Sequence, residues 1–142
     1  MEPITSKIVT EAAGISGALL HNLCNALRVG QTRQGSRRHF RAEDAMLVVL
    51  AGRLIEQGGH RNAEAIAIAL KARGALRRFA RDPDAPERWL WAWRSDESAP
   101  WRVEVTDDGG SPAEDGISVG PTIVVNLRAL ARTVLKAEQG AA

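Results

Sequence analysis

GISGALLHNLCNALRVGQTRQGSRRHFRAED, residues 14–44, is the stretch that decides the fold. Gly14 interrupts a helical pattern that starts at Thr5 or Ser6 and carries Ile8, Val9 and Ala12 on one side. Glycine adopts positive φ without steric cost, as a sharp turn between two helices requires. Ser16 is a capping residue. Behind it Leu19, Leu20, Leu23 and Leu27 fall on one buried stripe of a second helix. Its opposite face shows Gly17, Ala18, His21, Asn22 and Asn25. Gln34-Gly35-Ser36 is a turn signal inside Val29 to Phe40, with strand-compatible residues on both sides, and predicts a hairpin. Arg28, Arg33, Arg37, Arg38 and Arg41 lie on or beside that hairpin.

Further along, Ala42-Glu43-Asp44 places acids in the first turn of a third helix, where the helix dipole favours them. That helix is apolar almost all round through Ile55, which predicts a central position in the core. Gly58-Gly59 ends it. Asn62 caps a fourth helix, Ala63 to Arg73, stopped or bent by Gly74, with Leu76 and Phe79 extending the pattern. Asp82-Pro83-Asp84-Ala85-Pro86 reads as a boundary, since two prolines in five residues do not sit inside a helix.

Beyond the boundary Trp89, Trp91 and Trp93 alternate, as do Trp101, Val103 and Val105. Period 2 predicts two strands, paired across Ser95 to Pro100, with the tryptophans as the bulky residues of a small sheet's core. Asp107 to Gly116 is a loop of turn formers, and Ile117 to Val125 contains another strand. Asn126 caps a last helix with Leu127, Leu130, Ala131, Val134 and Leu135 on one face, suited to pack on the sheet or to form a dimer seam. The expected class is α+β: a mainly helical domain over residues 1–81, then a small acidic α+β dimerisation or partner region over 82–142 that ends in a helix.

Composition narrows the function. The chain has 142 residues, 44% hydrophobic and 25% charged, which is globular. No apolar run is long enough to cross a membrane, and no secretory signal is visible, so a cytoplasmic location is expected. One cysteine excludes an internal disulfide and a Cys-rich zinc site. His21 and Cys24 are three apart on one helix but have no third ligand nearby, so no metal site is expected. No Ser-His-Asp order in motif context and no phosphate-cradling glycine loop is found, so neither an enzyme nor a cofactor is expected. Charge is lopsided: residues 1–81 hold 13 Lys+Arg against 6 Asp+Glu, and residues 82–142 hold 6 against 11. That asymmetry suits a polyanion-binding half joined to a half that avoids the polyanion.

Residues of about 6–73 resemble the MerR-type winged helix-turn-helix. The likeness rests on Gly14-Ile15-Ser16 at the interhelical turn and on Gly35-Ser36-Arg37-Arg38-His39-Phe40 at the wing. It continues with the acidic helix start Ala42-Glu43-Asp44-Ala45, the long helix to Gly58, and the short helix Ala63 to Leu70. The resemblance implies a DNA-binding domain, and double-stranded DNA as partner. Ser16, Gly17 and Ala18 would open the recognition helix. His21, Asn22 and Asn25 would face base edges, Asn pairing with adenine. Arg33, Arg37 and Arg38 would grip phosphates from the wing.

The sequence departs from the family at His21, Asn22 and Leu23, where an Arg and two aromatics are usual. The long coiled-coil helix and the cysteine clusters of metal sensors are missing too. The expected function is a DNA-binding transcriptional regulator, working as a homodimer. Alternatives are a phage-type DNA-transaction protein, for excision or packaging recognition, and a protein-interaction module that keeps the fold without binding DNA. A third reading is a small-molecule effector-binding regulator that uses the tryptophans as an aromatic pocket, for which the sequence offers no further support.

Overall fold

A computed structural model describes residues 4–30, 32–34, 37–107 and 122–140, excepting the side chains of 32–34, 37, 139 and 140. Strand β1 (Ile4–Thr5) leads into α1 (Ser6–Ala13), where Thr5 Oγ1 accepts from the Ile8 N–H at 3.5 Å. Gly14, at φ 71°, returns its N–H to the Thr10 carbonyl at 2.8 Å and turns the chain. Ser16 then caps α2 (Gly17–Leu27), its Oγ accepting from the Leu19 N–H at 3.1 Å. Arg28 ends α2 in the left-handed region at φ 56°. Strands β2 (Thr32–Gln34) and β3 (Arg37–Phe40) follow, and β3 lies between β1 and β2 in an antiparallel sheet. The predicted hairpin is therefore formed, with Thr32 facing His39, Arg33 facing Arg38 and Gln34 facing Arg37. Its turn, Gly35-Ser36, lies outside the described residues.

Helix α3 (Ala42–Glu56) is buried at every residue from Ala45 to Gly52. A helix apolar on all sides needs cover on all sides. Cover comes from α1, α2, α4 (Asn62–Lys71), α5 (Arg73–Arg81) and α6 (Leu127–Gly140), all of which contact α3. Each helix also touches the next around the ring, in the order α1, α2, α4, α5, α6 and back to α1. The break between α4 and α5 falls at Ala72, not at Gly74. Ala72 is fully buried and closes α4 with an N–H to the Ala69 carbonyl at 2.9 Å, whereas Gly74 lies inside α5 with open space where a Cβ would be. Arg61, rather than Asn62, takes the N-cap position of α4.

A second antiparallel sheet has the order β5-β4-β6, from β4 (Trp89–Trp93), β5 (Arg102–Thr106) and β6 (Ile123–Asn126). The alternation is as predicted, and Trp101, Val103 and Val105 do pack against the core, but in β4 the faces are reversed. Leu90 and Ala92 are fully buried and join the core, with Val103, Val105, Ile123 and Val125 beside them in register. Trp89, Trp91 and Trp93 therefore lie on the opposite face, alongside Arg102, Glu104 and Val124. The inner face packs against α4 and α6, where aliphatic residues of modest volume fit between sheet and helices. Residues 108–121, including the predicted loop and the start of the third strand, lie outside the described residues.

Asn126 caps α6 as expected, its Oδ1 accepting from the Ala129 N–H at 3.0 Å. The apolar stripe Leu127, Leu130, Ala131 and Val134 is buried against α1, α3 and α5 as well as the second sheet. That stripe is therefore covered within the chain, while Leu135 beside it is half-buried. One hydrophobic cluster runs from Ile4 to Val134, continuous across the bend at Asp82–Pro86. Among the described residues no helix is long and apolar enough to cross a membrane.

Leu130→Ala should lower unfolding stability by about 2–5 kcal/mol, as large-to-small core substitutions do. Urea unfolding followed by helix dichroism and by tryptophan fluorescence should shift together in this variant. Separate transitions for the two probes would contradict a single core.

Candidate nucleic-acid interface

Helix α2 turns Leu20, Leu23, Cys24 and Leu27 inward. This leaves Gly17, Ala18, His21, Asn22 and Asn25 exposed on one face, as the sequence predicts. His21 and Cys24 diverge, the first exposed and the second fully buried. Ser16 spends one lone pair on the Leu19 N–H and keeps its hydroxyl proton free to donate. A Cβ on Gly17 would meet nothing within 4 Å, so the structure leaves the first residue of α2 uncrowded.

The hairpin and α2, predicted as separate contributors, meet at His21. Arg38 Nη2 lies 3.2 Å from His21 Nδ1, and Asn25 Nδ2 lies 3.2 Å from His21 Nε2. A guanidinium only donates, so Nδ1 accepts from Arg38, while the Asn25 amide lies against Nε2. His21 is thus held between the hairpin and its own helix. Arg38 Nη1 is buried and has no acceptor among the described residues. Asn22 has no bonded partner there and is the freest polar side chain on the face. The side chains of Arg33 and Arg37 lie outside the described residues, although their strands place Arg33 opposite Arg38 in register.

Two features hold this surface in place. The first is Gly52 on α3, where a Cβ would lie 2.9 Å from the Ala13 Cβ and 3.0 Å from Ile15 Cγ2. Its bare Cα allows α3 to approach the turn that aims α2. Nearby, Arg53 Nε donates to the Ala12 carbonyl at 3.1 Å, satisfying an acceptor near the end of α1. The second is the start of α3, directly after the hairpin. Glu43 accepts from Arg77 Nε at 2.8 Å, and Arg41 lies 3.6 Å from Asp44. The Arg77 hydrogen bond, helped by the charges of Arg77, Arg41 and Arg73 and opposed by partial burial, holds the Glu43 carboxyl below the usual glutamate range. The convergence of these arginines on Glu43 is not visible in the sequence, because Arg77 is 34 residues away from it. Comparison of the sequence with known protein families and with curated proteins gave no match.

Gly52→Val should destabilise by about 1–3 kcal/mol through overpacking between α1 and α3. Chemical denaturation measures this, and an unchanged midpoint would refute the close approach. Glu43 gives a second test. Its folded-state pKa is depressed, so its stabilising contribution is complete above the ordinary glutamate range. That contribution is lost as pH falls through the depressed value. Stability curves of the parent and of Glu43→Gln should therefore lie apart near neutrality and converge on acidification. Curves that stay parallel would show that the Arg77 contact contributes nothing.

Proposed function

We propose that the chain is a DNA-binding protein of the winged helix-turn-helix type, acting in transcriptional control. Helix α2 enters the major groove and the β2–β3 hairpin serves as the wing. The observation that carries this reading is the meeting of His21 and Arg38, which joins hairpin and helix into one polar surface. A phosphate oxygen is the acceptor that a guanidinium on such a surface fits best. Arg33 and Arg38 are also partners in the backbone register of β2 and β3. The basic excess of residues 1–81 adds long-range attraction to a polyanion.

Base readout falls mainly to Asn22. His21 has both ring nitrogens engaged, and Asn25 is one of its partners. Asn22 remains able to pair bidentately with adenine. Affinity then comes chiefly from phosphate contacts, and sequence preference from few side chains. A second copy of the chain, reading a symmetric site, completes the proposal.

Fluorescence anisotropy on duplex DNA over a range of salt tests the proposal. Binding should weaken steeply with salt, and Arg33→Gln, Arg37→Gln and Arg38→Gln together should reduce the log–log slope by about 2–3. Asn22→Ala should leave nonspecific binding intact and cost roughly 1–3 kcal/mol on a selected site. No binding at low salt, or an unchanged slope in the triple variant, would overturn the DNA reading in favour of a protein-interaction module.

A further inference from the structure

Helix α5 carries Arg73, Arg77, Arg78 and Arg81 in nine residues and no acid. Every other charged helix mixes its signs. Lys7 stands with Glu11 in α1, Arg53 with Glu43, Asp44 and Glu56 in α3, Lys71 with Glu64 in α4, and Arg128, Arg132 and Lys136 with Glu138 in α6. Interspersed signs are the ordinary condition of a solvated surface, and a field of one sign attracts a partner of the other. Leu76 and Phe79 are fully buried, so the apolar side of α5 is occupied by the core. It is not available for insertion into a lipid surface, which an amphipathic membrane helix requires.

The acids around α5 do not neutralise it. Glu43 takes Arg77 at 2.8 Å, and Asp84 takes Arg132 at 3.2 Å. Asp82 accepts the Asp84 N–H on its Oδ1 at 3.1 Å. Arg78 and Arg81 are exposed and have no ion-pair partner among the described residues. At i and i+3 they are neighbours on one side of the helix. Gly74, one turn before Arg78, has open space where a Cβ would be.

This side of α5 is joined to the hairpin. The Arg77–Glu43 pair fastens α5 to the first turn of α3, and Arg41, directly after β3, lies 3.6 Å from Asp44 in that same turn. Cationic side chains therefore continue from Arg38 in β3, through Arg41, onto α5.

We propose that Arg78 and Arg81 form a second phosphate contact for duplex DNA, beyond the wing. The inference rests on the DNA-binding reading above. Guanidinium forks suit phosphate oxygens bidentately. No Asn, Gln or His accompanies them on α5, so the contact adds affinity without reading bases.

Anisotropy titrations on duplex DNA over a range of salt test this with four proteins. They are the parent, the wing triple variant, Arg78→Gln with Arg81→Gln, and Arg102→Gln with Lys136→Gln. The last pair removes the same charge from exposed positions on β5 and α6. Glutamine is a good helix former, so the dichroism of the α5 variant should match the parent. Its log–log slope should fall by about 2, with unchanged discrimination between a selected and an unrelated site. The Arg102 and Lys136 variant should keep the parental slope. If the wing variant loses slope while the α5 variant does not, the inference falls and the DNA reading stands. Equal losses in the α5 and control variants also overturn it, since overall charge would then be acting in place of a contact. A parent that fails to bind at low salt overturns both.

Discussion

Residues 45–52 are buried along the whole length they span in α3, so that helix has no side left for water. Five helices must be arranged around it, and the positions of the rest follow. α1 and α2 cover one flank and are tied to α3 at the Gly52 crossing. α4, α5 and α6 cover the remainder, and the second sheet is held against the bundle through α4 and α6. The exposed face of α2 is what is left after this burial has been satisfied. Its small and neutral residues, Gly17, Ala18, Asn22 and Asn25, cost little to leave in water. That allows a partner to be met without exposing the core.

The contact between His21 and Arg38 changes how this face works. Separate elements that each carried polar groups would have to be ordered when a partner arrives, at a cost in conformational entropy. Here the guanidinium is already positioned by a ring nitrogen, and the ring is positioned by Asn25. The same bonds remove His21 from the set of side chains free to read a base. On the proposed DNA-binding reading, grip and readout would be divided between Arg38 and Asn22, a division that favours shape and charge over sequence.

Much of this was legible locally. Gly14, Ser16 and Asn126 announce their turns and caps through their own chemistry, and the period of α2 correctly separates its buried stripe from its exposed face. What could not be read depends on distant partners. Alternation in β4 shows that two faces exist but not which one meets the helices, and bulk at Trp89, Trp91 and Trp93 suggests the wrong one. The break at Ala72 carries no signature, because alanine favours helix and only tertiary packing stops it there. His60 lies in the loop between α3 and α4, but its burial beside Trp101, 41 positions later, has no signal in the sequence. The stripe of α6 is plain in the sequence, while its destination inside the helical ring is not.

Closure of that ring has a temporal side. Helices α1 to α5 leave the ribosome with one flank of α3 bare, since α6 supplies the missing wall. The stretch from Arg81 to Leu127 must first be translated, a delay of roughly 2–9 s at common elongation rates. Over that interval the nascent chain displays aliphatic surface that belongs inside, and that surface is covered only when Leu127, Leu130, Ala131 and Val134 arrive, not when the amino-terminal helices are complete.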